Sequence, residues 1–196
     1  MGRLVSIAAA AVFTSGVLMV GYGLITPAKA WLSVRLLDHA WSRVLAGEDD
    51  VRPWPWMDSE PVARLSFVKA GAEAAREGRS SFVVLRGVSG AVLAFAPGWH
   101  EGTAEPGAVG TTLISAHRDT HFAVLEGIAH DDRFMLEDRR GHHRTFAVKA
   151  MIVTEEPTLM LAGIDDRHRL LLVTCYPLNS WQPDSRQRLV VVAEPI

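Results

Sequence analysis

From Leu4 to Ile25 the chain carries no charged side chain. A helix of twenty-two residues extends about 33 Å, against a bilayer hydrocarbon core of about 30 Å. Such a run has two fates, an uncleaved membrane anchor or an export signal that is removed. Ala28-Lys29-Ala30 has the small-x-small form of a cleavage site. The run is nevertheless longer than the usual signal core of about 7–15 residues, which favours the anchor. Arg3 precedes it and Lys29 and Arg35 follow, so the charge bias for orientation is weak. Either fate delivers the remainder of the chain outside the cytoplasm.

The residues after the run divide by pattern. Over Trp31 to Leu45, Leu32, Leu36, Leu37, Ala40, Trp41, Val44 and Leu45 share one helical face, while Ser33, Arg35, Asp38, Ser42 and Arg43 share the other. Such a helix either lies in the headgroup region or packs on the folded domain. Gly47 to Pro61 reads as a linker, because Pro53, Pro55 and Pro61 exclude helix and interior strand. Trp54 and Trp56 are costly to leave in water, so this segment is expected to lie across the domain surface. The expected organisation is an anchor over 1–30, a juxtamembrane helix and Pro/Trp-rich linker over 31–61, and a folded domain over 62–196.

From Pro61 onward, short β-rich runs alternate with turn signals. Strands are expected at Ala63–Lys69, Ser81–Arg86, Ala91–Phe95, Gly110–Ala116, Arg133–Glu137, His143–Val153, Leu170–Cys175 and Leu189–Glu194. Short helices are expected at Ala70–Glu77 and His121–Ala129. About eight strands in so short a stretch predict a mostly β fold, a closed or nearly closed barrel. No phosphate-binding glycine loop and no strand–helix alternation is present, which argues against a nucleotide-binding α/β fold. Twenty Lys+Arg against 22 Asp+Glu give a net charge of −2, without the basic excess of a nucleic-acid binder.

The chain has 1 Cys, so neither an intramolecular disulfide nor a cysteine zinc cage can form. That residue, Cys175, ends the apolar run Leu170-Leu171-Leu172-Val173-Thr174, and Tyr176-Pro177 stops the strand at once. An unpaired thiol outside the cytoplasm risks oxidation, and its position at a strand exit suits a cleft edge. A thiol nucleophile needs an acid/base partner and a positive group for a developing oxyanion. His117 ends a second apolar run, Leu113-Ile114-Ser115-Ala116, so two strand ends can place both groups at one barrel mouth. His117 and His121 have the i, i+4 spacing of a zinc pair, but the Glu of H-E-x-x-H is missing. Arg186 and Arg188 open the last strand on the same side, either of them available to an oxyanion.

These residues resemble those of sortases. The family's T-L-x-T-C strand end reads here Leu171-Leu172-Val173-Thr174-Cys175, with Leu171 in place of the usual Thr. Its strand-end histidine reads Ile114-Ser115-Ala116-His117-Arg118-Asp119, with Ser115-Ala116 where Gly often precedes the His. Its arginine on the following strand is matched best by Arg188, with Arg186 as the alternative. Pro27-Ala28-Lys29-Ala30, Ala40-Trp41, Trp54-Pro55-Trp56, Ala94-Phe95-Ala96-Pro97-Gly98 and His117 to Phe122 further resemble the Gram-negative subgroup called class GN.

The resemblance implies an eight-stranded sortase barrel and a cysteine transpeptidase acting on a C-terminal LPxTG-like sorting signal. Cys175 would be the nucleophile, His117 the acid/base and Arg188 the oxyanion or backbone contact. Thr174 in the motif, and Leu159 and Met160 in the loop before the cysteine strand, are expected to contact substrate. No cofactor and no metal are expected. The implied partner is a substrate protein, in this subgroup often with VIT and von Willebrand A-type domains, together with an amine acceptor. The implied location is a single-pass inner-membrane protein with a periplasmic catalytic domain. The competing readings are a thiol peptidase that resolves the same acyl-enzyme with water, and a non-catalytic anchored binding module.

Overall fold

A computed structural model describes residues 2–68, 80–155, 168–180 and 185–196. The expected helix Ala70–Glu77 lies outside them. The chain divides into two compact units, Met1–Leu36 and Leu37–Ile196. The first is helical: α1 runs from Gly2 to Leu45 through Pro27, and its portion up to Leu36 forms this unit. Phe13, Leu18, Met19, Val20 and Tyr22 are exposed along it. By length and composition, α1 is apolar enough to cross a membrane.

In the second unit, the last turns of α1 bury Leu37, Ala40, Trp41 and Val44, an i, i+3, i+4, i+7 stripe. Trp41 is 2% exposed, and its indole N–H donates to Glu137 Oε2 at 3.0 Å. Beside it, Arg64 reaches Asp38 at 2.8 Å. Of the two placements open to this helix, residues 37–45 therefore take the one packed on the domain; Leu45, expected on the apolar face, is exposed. The helix ends where Gly47 adopts φ +86. Gly47 N–H donates to Val44 O and Glu48 N–H to Arg43 O, the paired capping bonds that a left-handed glycine permits. The following segment has no regular helix or strand up to Pro61. It buries Val51, Trp54 and Met57, with Trp54 edge-on to Phe95 at 5.0 Å. Trp56 stays 80% exposed, contrary to the expectation for both tryptophans.

Eight strands close into a barrel. They are β1 (Pro61–Val68), β2 (Ser80–Arg86), β3 (Gly98–Trp99), β4 (Thr111–Ser115), β5 (Arg133–Asp138), β6 (His143–Thr154), β7 (Arg169–Cys175) and β8 (Arg188–Pro195). Their order around the barrel is β1-β2-β3-β4-β7-β8-β6-β5. β2–β3 and β4–β7 are parallel, and the other pairs are antiparallel. Alternation sends Leu65, Ile114, Leu170, Leu172 and Val191 into the interior, with Phe134 and Phe146.

Two expected elements differ. Ala91–Phe95 is not a strand; Gly90–Leu93 forms the short helix α2. The Ser89 hydroxyl caps it by accepting from Val92 N–H, and that local bond outcompetes a strand for this short apolar run. The strand position is taken instead by Gly98–Trp99, for which no strand was expected. Gly98 is required there, since a Cβ would lie 2.2 Å from the Gly87 carbonyl oxygen. The helix expected at His121–Ala129 is a 3₁₀ turn over His121–Leu125.

The Trp41 anchor is testable by denaturant unfolding. Trp41→Ala should cost about 3–5 kcal/mol through lost packing. Trp41→Phe, which loses the bond to Glu137 but keeps an aromatic ring, should cost about 1 kcal/mol.

Candidate active site

The site is set by the register of three adjacent strands. β4 and β7 run parallel with Leu113 opposite Leu171 and Ser115 opposite Val173. One further rung follows, where Ala116 N–H donates to Val173 O at 3.3 Å. Thr174 Oγ1 then donates to Ala116 O at 2.8 Å. Continuing this register brings His117 level with Cys175. On the other side of β7, Cys175 is paired directly with Arg188, and Arg188 with Thr154 of β6. Carried two residues past β4, this register sets His117 in one row with the paired Cys175 and Arg188. Arg186 lies outside β8, exposed, two positions before its first residue.

Alternation decides which face this row occupies. Leu170, Leu172 and Thr174 point inward; Leu171, Val173 and Cys175 point outward. Outward Leu113, Leu171, Val173 and Val190 form a second buried apolar cluster, with Val192 packed against it. The row therefore borders a buried apolar layer on the outer barrel face. His117 is exposed, while Cys175 and Arg188 are half-buried.

Thr174 has a different setting from the one expected. Its side chain is 2% exposed and faces the interior, with its hydroxyl bonded to Ala116 O. Alternation forbids neighbours in a strand from sharing a face, so with Cys175 outward the Thr174 side chain is turned from the groove. Leu159 and Met160, with the loop wall they were expected to form, lie outside the described residues.

Several site features were not singled out from sequence. Arg118 donates from Nη1 to Pro177 O at 3.0 Å and from Nη2 to Ser180 O at 2.9 Å. Arg188 Nη1 donates to Ser185 O at 2.6 Å and Gln187 O at 2.9 Å. His100 shares a 2.8 Å hydrogen bond with Ser115, two residues before His117. His121 stands edge-on to Phe82 at 5.5 Å. Burial pushes the pKa of His100 down. Burial also lowers that of His121; a bond with the Phe95 backbone opposes this, and electrostatic repulsion from His117 adds to it. Among the described residues, no three His, Cys, Asp or Glu side chains converge as metal ligands.

Comparison with known proteins agrees with this architecture. Residues 76–196 match the sortase domain model. No curated protein sequence matches the chain significantly. Among solved structures, sortase A from Corynebacterium diphtheriae superposes with TM-score 0.58 at 21% identity, covering 72% of this chain. The chain spans 63% of that protein's length. A Clostridium perfringens sortase D5 transpeptidase gives TM-score 0.56 at 19% identity, covering 70% of this chain and 79% of that one. Sortase C from the same species gives 0.55 at 19%, covering 86% and 89%.

Two predictions follow from the site's internal bonds. Thr174→Val leaves a buried carbonyl without its donor and should cost about 1–3 kcal/mol in denaturant unfolding. His100 and His121 titrate lower in the folded than in the unfolded chain. Their contribution is complete above the unfolded value of about 6.5 and is lost as pH falls through the lower folded values. Melting temperature should drop with acidification below that pH, and H100Q/H121Q should reduce the slope. With a closed eight-strand barrel and a sortase domain model matched over residues 76–196, the chain belongs to the sortase family.

Proposed function

We propose that the protein is a cysteine transpeptidase that cleaves a C-terminal LPxTG-like sorting signal and transfers the acyl part to an amine. The observation that carries this reading is the row His117–Cys175–Arg188 at the ends of three adjacent strands. The substrate chain is bound with its scissile carbonyl at Cys175. Cys175 passes its thiol proton to His117 as Sγ attacks the carbonyl carbon, and the tetrahedral oxyanion meets Arg188. Nη1 of that arginine is held by backbone carbonyls, which leaves its Nε and Nη2 edge for substrate. His117 gives the proton to the departing amine, leaving a thioester on Cys175. It then takes a proton from the incoming amine, which attacks the thioester, and returns it to the released sulfur to restore the thiol.

In this reading, residues 62–196 are the catalytic domain, 31–61 the juxtamembrane helix and linker, and 1–30 a single-pass anchor. The motifs around His117 and Cys175 support class GN, which implies a periplasmic site. They also imply a partner protein with VIT and von Willebrand A-type domains ending in the sorting signal. The apolar stretch of α1 supports the anchor.

The test is intact mass of the full-length protein in detergent with LPxTG-type peptides and no added amine. A gain equal to the peptide minus its leaving glycine segment, absent in Cys175→Ala, is expected. Adding an amine should replace hydrolysed product by amide; product formed only with water would favour the peptidase reading. Arg188→Ala should slow adduct formation by about 10²–10³-fold, and His117→Ala by about 10²–10⁴-fold. No adduct across peptides varied at every motif position would overturn the proposal.

A further inference from the structure

We infer that Arg118 is a positioning residue that holds His117 and the Cys175 strand end in reach of one another; this rests on the His117–Cys175 reading above. Among the described residues, the backbone ladder between β4 and β7 stops at the bond from Ala116 N–H to Val173 O. His117 and Cys175 both lie beyond it, each where its strand gives way to a connection. A backbone rung joins Cys175 to β8, but none joins it to the segment carrying His117.

Arg118 bridges that gap. It directly follows His117, and its half-buried side chain crosses to the connection that begins just after Cys175. Its two terminal nitrogens bond separate carbonyls there, Pro177 O at 3.0 Å and Ser180 O at 2.9 Å. Two acceptors three residues apart suit a planar fork with fixed nitrogen spacing; a single ammonium cannot reproduce it. The described residues of that connection are tied to each other and to β8. Tyr176 N–H donates to Gln187 O at 2.9 Å, and the Ser185 hydroxyl donates to Tyr176 O. At its far end Arg188 holds the carbonyls of Ser185 and Gln187. One arginine thus grips this connection from the histidine side and another from β8, with Cys175 between them. Without Arg118 the last links on the histidine side are those at Ala116, one residue short of His117, so His117 loses its fixed relation to the thiol while the barrel remains.

The test needs no substrate. The rate at which iodoacetamide alkylates Cys175 is measured across about pH 5 to 10 on the full-length protein in detergent. Parent, H117A, R118A, R118K and H117A/R118A are compared, with thermal melts alongside. The rate profile of R118A should move toward that of H117A, and R118K should not restore the parent's. On the H117A background, R118A should change the rate by less than about twofold, because it acts through the missing imidazole. If R118A keeps the parent's profile while H117A does not, Arg118 has no positioning role and the His117–Cys175 pair stands. If the effects of R118A and H117A simply add, Arg118 acts on the loop alone and the inference fails. If H117A itself leaves the profile unchanged, the pair is uncoupled and both readings fall. Should R118A fail to fold, R118K in the same cycle with H117A decides the question: the parent's profile in R118K overturns the inference.

Discussion

The parallel pairing of β4 with β7 is the constraint on which the site depends. Parallel strands cannot be joined by a tight turn, so this contact is made between segments about 58 residues apart, with two antiparallel strands formed in the interval. Its last rungs are the bond from Ala116 N–H and the Thr174 hydroxyl on the Ala116 carbonyl. Slipping this pairing by one residue would turn Cys175 inward and His117 out of line. The alternate burial of Leu170 and Leu172 inside and Leu171 and Val173 outside makes such a slip costly, because both faces of β7 are apolar and filled. The row of His117, Cys175 and Arg188 is therefore fixed by the same packing that holds the barrel shut.

Much of this was legible in sequence, for identifiable reasons. Seven of the eight strands carry β-rich runs bounded by Gly or Pro, and their observed limits fall close to the expected ones. The eighth, β3, has two residues and no periodicity to read, and the neighbouring run Ala91–Phe95 lacks alternation. There a single serine cap decided for helix. The tryptophans show another limit: Trp54 finds Phe95 as an edge partner, while Trp56, two residues on in the same motif, is left exposed. Which one is covered depends on a neighbour distant in sequence.

At the site, positions ending apolar runs were enough to single out Cys175 and His117, because strand exits are visible locally. That they share a row depends on which strands are neighbours, and pattern alone does not reveal a parallel pairing across two intervening strands. Thr174 illustrates the difference between motif and geometry. It belongs to the family signature, yet its hydroxyl serves the seam between strands. Arg118 also stood within a recognised motif, but its bonds to Pro177 and Ser180 arise only once both strand ends have been brought together.

The position of β8 has a consequence for biosynthesis. Of the eight barrel strands it is the last in sequence, yet it sits between β7 and β6. The wall cannot close until residues 188–195 have left the ribosome, and Arg188 is the first of them. A nascent chain that has not yet released Arg188 thus carries a cysteine whose cationic neighbour has not arrived. Because this closing step joins distant segments, it is slow compared with local hairpins such as β5–β6. The barrel consequently closes late, and a product truncated before residue 188 would be left with an open sheet edge and a thiol without its paired arginine.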